Sequence, residues 1–143
     1  MAGGDAHEIA ILDTSSGLSP ITQGQRKDLQ GIVDRARTIS GFAFALYVGP
    51  LEGGRDGAVA VHSSLRDPAS TVLVAVDPSQ RSIEIVTGVN VAVDLSGRAC
   101  ELAAMSMASS FAAGDLSGGL REGIVMLAEH ARHPRVLHLD DPS

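Results

Sequence analysis

Glu129, His130, His133 and His138 crowd one end of the chain, and their side chains are of types that can ligate a metal ion. His130 and His133 are three residues apart, so one helix face would present both imidazoles to a zinc ion, although structural zinc usually takes four ligands. Cationic residues are also favoured at a helix C-terminus, and that local reason explains the histidines equally well. Ser15, Ser16 and Ser19 offer hydroxyls, but no Gly-x-Ser-x-Gly elbow surrounds them to present a nucleophile. Cys100 falls inside an apolar helical segment, where a thiol packs rather than attacks. Tyr47 closes an apolar strand and reads as a packed ring with its hydroxyl at the rim. The segment Gly-Pro-Leu-Glu-Gly-Gly-Arg-Asp-Gly at 49–57 is glycine-rich. It lacks the Lys-Ser/Thr ending of a phosphate loop, and no dinucleotide fingerprint occurs elsewhere, so it reads as a flexible connection.

The elements that must position these groups follow from periodicity. Thr22 and Gln25 have capping-box spacing just after Pro20. Leu29, Ile32, Val33 and Ala36 then form a one-sided stripe, and Gly41 ends a helix over 22–40. Phe42–Val48 reads as a buried strand, stopped by Gly49-Pro50. A short helix or long turn is expected over 58–65. Val72–Val76 is continuously apolar, as in a strand covered on both faces. Asp77-Pro78-Ser79-Gln80 suits a type I turn, because Pro presets φ and the Asp side chain bonds ahead. Ile83-Glu84-Ile85-Val86 alternates, as expected for an edge or half-exposed strand, and Gly88 stops it.

Asp94 is expected to cap a helix running to about Ala112, with Arg98, Glu101, Met105, Ser109 and Ala112 outward. Leu95, Ala99, Leu102, Ala103, Met107 and Phe111 face elsewhere, so this helix is expected to be buried over more than half its girth. A last helix runs over 116–132 with Leu120, Ile124, Leu127 and Ala131 inward. It carries Gly118, Gly119 and Gly123, each costing about 1 kcal/mol of helix propensity relative to Ala. That cost is tolerable where another backbone approaches closely. The order is α-β-α-β-β-α-α. The expected fold is a three-layer α/β/α sandwich around a small mixed sheet, with a right-handed crossover between the two parallel strands.

Composition narrows the function. The chain has 143 residues and 44% apolar content, enough for one domain with its own core. The formal net charge of −6 and the lack of a basic patch argue against nucleic-acid binding. The single cysteine excludes an internal disulfide and fits a reducing compartment. The first residues lack a basic segment followed by an apolar core, and no apolar run reaches the roughly 20 residues that span a bilayer. The expectation is a cytoplasmic protein with a disordered leader at 1–6, a domain at 7–134 and a tail at 135–143.

The chain resembles the TPM domain family over residues 12–131. The carriers are LDTSSGLS before the first helix, FAFALYVG, TVLVAVDPSQRSIEIVTG, Asp94, and SFAAGDLSGGLREGIVMLAEHA. In the last of these, Phe111, Gly114-Asp115 and Gly119 are similar to the family's F..GDY..G signature. The resemblance implies an α/β/α sandwich, a role in maintaining membrane protein complexes, weak acid phosphatase activity in some members and calcium binding in others. It also marks Asp13, Asp67 and Asp94 as the acidic positions of a metal site for calcium or magnesium. The family's Asp-Asn-Gly before the central strand is here Asp67-Pro68-Ala69-Ser70, and its Gly-x-Gly-Leu-Glu-Gly after the hairpin is Gly88–Val93, without the Glu. Hard cations bind more weakly as carboxylates are lost. The favoured expectation is therefore a cofactor-free, non-enzymatic adaptor with a protein partner; the alternative is a metal-assisted phosphomonoester hydrolase. Since a hairpin sets the start of one strand beside the end of the other, Asp67 and Asp94 should share one end of the sheet. Local reasons also account for both, a helix cap for Asp94 and a turn for Asp67.

Overall fold

A computed structural model of the chain describes residues 11–14 and 19–132. The expected leader at 1–6 and tail at 135–143 lie outside them. The elements run in the order β1 (Ile11–Asp13), α1 (Gln23–Ser40), β2 (Ala43–Val48), α2 (Arg55–Ser63), a 3-10 turn (Pro68–Ser70), β3 (Thr71–Asp77), β4 (Ser82–Thr87), a single helical turn α3 (Val89–Ala92), α4 (Gly97–Ala112) and α5 (Leu116–Ala131).

The four strands form one sheet in sequence order, β1-β2-β3-β4. β1 and β3 pair parallel to β2, with Asp13 level with Val48 and Val48 level with Val76. β4 returns antiparallel on β3, Asp77 opposite Ser82 and Val72 opposite Thr87. The covered character read from the Val72–Val76 run is observed: every residue of β3 is buried. The alternating strand lies at the edge, as expected. Its turn bonds Gln80 N–H to Asp77 C=O (3.2 Å) and continues to Arg81, which takes a left-handed φ of 52°. The β4 edge is partly closed from outside, because Arg55 donates to Ile85 C=O (3.1 Å) and pairs with Glu84 (3.2 Å). Covering free strand groups in this way discourages edge-to-edge association.

Side chains alternate across the sheet and divide the core in two. Phe44, Leu46, Val48, Val72, Val74, Val76 and Ile85 meet Leu29, Val33 and Ala36 of α1, Ala103 and Met107 of α4, and Leu120, Ile124 and Leu127 of α5. Ala45, Leu73, Ala75 and Val86 meet Leu51 and Ala58, with Tyr47, Val61 and Leu65 packed alongside. Helices α1, α4 and α5 therefore cover one face and α2 the other, giving the three-layer α/β/α arrangement. This layout fixes one unusual property. The β1–α1–β2 and β2–α2–β3 crossovers step in the same direction across the sheet, yet their helices lie on opposite faces. The two cannot share a hand. One is right-handed and the other left-handed, against the strong rule for parallel connections.

Local signals explain most boundaries. Thr22 and Gln25 make the full capping box on α1, and Gly41 ends it in the left-handed region at φ 85°. α2 starts earlier than expected, within the glycine-rich segment, which is therefore not simply a loop. Asp94 does not cap α4. Ser96 does, accepting from Ala99 N–H at 3.1 Å, while Asp94 lies in the turn after α3. Both residue types cap helices well, and the extra turn of α3 moves the start of α4 two residues on. The expectation that α4 is buried over more than half its girth also fails. Only Ala99, Ala103 and Met107 are buried, while Leu102 and Met105 are 51% and 66% exposed. Small inward residues let α4 sit close on one side only.

The α4–α5 joint explains the Phe-x-x-Gly-Asp segment in folding terms. Gly114 turns the chain at φ 88°, and Asp115 caps α5 by accepting from Gly118 N–H at 3.0 Å. Beyond the cap, α5 packs tightly on α4 at its glycines. A Cβ on Gly119 would stand 2.5 Å from Ser110 Cβ, and one on Gly123 would stand 2.7 Å from Met107 Cγ. This is the close approach that two glycines on one helix face imply.

Candidate functional site at the carboxyl end of the sheet

In open α/β sheets, ligands favour the carboxyl ends of parallel strands where successive connections leave to opposite faces. Here that point lies between β1, whose chain leaves toward α1, and β2, whose chain leaves toward α2. Asp13 ends β1 there. Its side chain is almost fully buried; it accepts from Ser19 Oγ at 2.5 Å and pairs with Arg26 at 3.4 Å. Ser19 Oγ in turn accepts from Ile21 N–H (3.1 Å), so Asp13 fastens the approach to α1. The crevice itself is filled. A Cβ on Gly49 would collide with the Thr14 hydroxyl and lie 2.9 Å from the Tyr47 hydroxyl, which donates to Pro50 C=O at 2.8 Å.

Asp77 ends β3 at the same end of the sheet and is 4% exposed. Its carboxylate accepts from Leu51 N–H (3.0 Å), Ser79 N–H (3.0 Å), Ser79 Oγ (2.8 Å) and Gln80 N–H (3.4 Å). Burial alone raises its pKa, but the hydrogen bonds from Leu51, Ser79 and Gln80 outweigh it and hold the carboxyl below its ordinary value. This charge ties the β2–α2 connection to the hairpin turn and leaves little capacity for a ligand.

The opposite end of the sheet holds Asp67 and Asp94, on the side where β3 begins and β4 ends. Asp67 is exposed, and its side chain makes no cap bond to the Pro68–Ser70 turn. Asp94 is partly buried, with its N–H bonded to Val91 C=O at 2.9 Å. Asn90 Nδ2 donates to Ser70 Oγ (2.8 Å), joining α3 to that turn. The structure thus brings Asp67 and Asp94 to one end and Asp13 to the other, separated by the length of β3, about 20 Å at 3.3 Å per residue. The three do not fit one calcium or magnesium ion. Among the described residues, no group of three His, Cys, Asp or Glu is arranged to hold a metal ion.

Of the remaining candidates, His130 is exposed in the last turn of α5, while His133, His138, Ser15 and Ser16 lie outside the described residues. Cys100 is half-buried on α4; burial pushes its thiol up, partly offset by the charge of Arg55. His62 was not signalled by the sequence. It is buried on α2, and its Nε2–H donates to Thr71 C=O at 3.0 Å, a structural tie to the start of β3.

One open polar depression lies on the helical layer beside the carboxyl end. It holds about 430 Å³ between the first two turns of α1 and of α5. Gly24, Gln25 and Asp28 line it from α1, and Asp115, Ser117, Gly118, Arg121 and Glu122 from α5. Arg121 and Asp28 pair across it at 3.0 Å. Residues 93 positions apart give no sequence signal of their meeting. Of its lining residues the sequence singled out only Gln25, as a helix cap, Asp115, in the Gly-Asp pattern, and Gly118, as a helix glycine.

With the geometry established, similarity to other proteins places the chain. A family described as a domain of unknown function, DUF5130, matches residues 4–128. The chain belongs to the DUF5130 family. Among solved structures, this DUF5130 chain is similar to the N-terminal domain of a protein from P. gingivalis, with TM-score 0.62 and 19% identity over 90% of this chain and 85% of that one. It is also similar to the N-terminal domain of the cg2496 protein from Corynebacterium glutamicum, with TM-score 0.59 and 13% identity over 87% and 78% of the two chains. A third similar structure is the BA42 protein from the psychrophilic bacteria Bizionia argentinensis, with TM-score 0.66 and 13% identity over 82% and 86%. These likenesses establish a shared fold for the DUF5130 domain. No helix among its described residues is long and apolar enough to cross a membrane.

Proposed function

We propose that this DUF5130 domain is a non-enzymatic binding module that engages a protein partner through the carboxyl-end face of its helical layer, between the starts of α1 and α5. The observation that carries this reading is how its carboxylates are used. Asp13 and Asp77 hold the ends of β1 and β3 to neighbouring loops, whereas the α1–α5 depression keeps side chains with unused bonding capacity. Hydrolysis of a phosphate ester needs a positioned nucleophile or water and a cationic clamp at one place. Asp13, Asp67 and Asp94 do not converge to supply one. The divergent TPM-like assignment belongs to the same proposal. It rests on the Phe111, Gly114-Asp115 and Gly119 pattern and carries with it the link to maintenance of membrane or envelope complexes.

The test is turnover of a generic phosphomonoester at acid and neutral pH, with and without millimolar calcium or magnesium. The expected rate equals that of buffer and is unchanged by Asp67→Asn or Asp94→Asn. Hydrolysis that depends on Asp13, Asp67 or Asp94 overturns the reading in favour of a metal-assisted hydrolase.

A further inference from the structure

We propose that Arg55 is a latch that keeps β4 from pairing with β4 of a second copy of this chain. The proposal stands apart from the binding-module reading, because it concerns the β4 edge and not the α1–α5 face.

Backbone geometry shows which groups that edge offers. In the β3–β4 pair, Gly88 N–H bonds Thr71 C=O at 3.2 Å. The bonded pairs then recur every second residue, Leu73 with Val86, Ala75 with Glu84 and Asp77 with Ser82. The N–H and C=O groups of Ile83, Ile85 and Thr87 therefore point away from β3. The one partner these groups find among the described residues is Arg55, whose Nη1 donates to Ile85 C=O at 3.1 Å and lies 3.2 Å from Glu84 Oε1.

The strand brings no protection of its own. Its residues, Ser-Ile-Glu-Ile-Val-Thr, include no Pro and no Lys, and its register with β3 runs without a bulge. Edge strands are usually blunted by such devices. Nor does α2 account for Arg55. It is the first residue of that helix, at the positive end of the dipole, where a cation is disfavoured. Its contacts with β4 supply the reason that its own helix does not.

The occupant follows from register. Two copies of an edge strand can pair antiparallel about a two-fold axis, the commonest symmetry of association. Centred on Glu84, the pair sets two Glu84 side chains directly opposite, and like charges there destabilise. Centred on Ile83, it sets Ile85 against Arg81, whose left-handed φ of 52° ends the extended chain. Centred on Val86 or Thr87, it sets Ile83 or Ile85 against Val89, in the helical turn α3. Centred on Ile85, residues 83–87 all pair within β4: Ile85 meets Ile85, Ile83 meets Thr87, and Glu84 meets Val86. In that register each Ile85 exchanges N–H and C=O with its counterpart. Arg55 occupies that C=O, at the centre of the register the sequence favours.

The experiment compares the parent domain with two variants. Arg55→Met keeps an apolar stem and removes the donors. Glu84→Gln removes the ion pair and leaves Arg55 on Ile85 C=O. The Arg55 side chain is 58% exposed, so its replacement leaves the core intact. Sedimentation velocity over rising protein concentration reads the mass, and amide hydrogen exchange reads the surface used. The parent and Glu84→Gln should sediment as single chains, whereas the average mass of Arg55→Met should climb toward twice that of one chain. In Arg55→Met the amides of Ile83, Ile85 and Thr87 should exchange more slowly as concentration rises. Those of Glu84 and Val86, already bonded to β3, should not change. Arg55→Lys replaces the fork by a strongly hydrated point charge and should associate to an intermediate degree. Arg55→Met remaining a single chain would overturn the proposal. So would equal association of the parent or of Glu84→Gln, or association that leaves those three amides unprotected.

Discussion

Replacing Asp77 by alanine is expected to lower stability by about 2–4 kcal/mol, among the largest single losses available outside the apolar core. The substitution removes a charge that three N–H groups and one hydroxyl share, and it leaves the Leu51 N–H without its acceptor in a buried position. An unmet buried donor costs more than the bond it made was worth. The pH dependence has a definite sign. The folded carboxyl titrates below its ordinary value, so the folded state releases this proton more readily than the unfolded chain does. Its contribution is fully present above the usual Asp pKa of about 3.9 and is lost as pH falls through that value toward the lower folded one. Urea denaturation of Asp77→Asn and of the parent protein between neutral and acid pH checks this. The stability gap between them should be widest at neutral pH and close on acidification. A gap that stays constant down to the acid limb would show that Asp77 acts only through shape.

Gly88→Ala should be comparably harmful for a steric reason. Gly88 has an ordinary extended conformation (φ −77°), so alanine is not disfavoured by its backbone angles. The obstacle is space: an added Cβ would collide with the backbone oxygens of Pro68 and Ala69. Backbone cannot rotate away as a side chain can, so the cost falls at the upper end of overpacking, about 3 kcal/mol or more. The β4–α3 connection and the Pro68–Ser70 turn would have to separate. Gly123→Ala supplies a graded comparison, because there the neighbour is the side chain of Met107, flexible but fully buried. A loss of about 1–3 kcal/mol is expected at Gly123. If either position were open, alanine would stabilise by about 0.4–1 kcal/mol through the unfolded chain. A raised urea midpoint in either variant would contradict the close packing described.

The parts of this fold that the sequence made legible are those governed by neighbours along the chain. The Thr22–Gln25 box, the Gly41 stop, the Val72–Val76 run and the Asp77-Pro78 turn each carry a local physical reason, and each appears where that reason puts it. What escaped was set by contacts at a distance. β1 has only three residues, too few to show a period, and it is a strand because β2 offers it a partner. The start of α4 was misplaced because Asp94 and Ser96 are equally good caps, and only the packing of α3 selects between them. Leu102 looked like core because it is apolar, yet α4 buries a single stripe of Ala99, Ala103 and Met107 and leaves Leu102 outside it.

The site was less legible still. Topology did place Asp67 and Asp94 at one end of the sheet. The resemblance that grouped them with Asp13 held no information about which end β1 would reach. Asp77 read as a turn residue, which it is, but nothing local shows that its other oxygen caps Leu51. The α1–α5 depression depends on two helices 93 residues apart at Asp28 and Arg121 coming side by side, which no spacing along one segment encodes.

The central claim, that this domain works by holding a protein partner at the starts of α1 and α5, is tested most directly by quantitative capture from native lysate with two matched charge reversals. Glu122→Lys changes the depression, and Glu101→Lys changes the exposed face of α4. Both sites are exposed, so neither reversal should disturb folding. A specific set of proteins retained by the parent domain should be lost with Glu122→Lys and kept with Glu101→Lys. Retention of the same set by both variants, or its loss with Glu101→Lys alone, would contradict the claim.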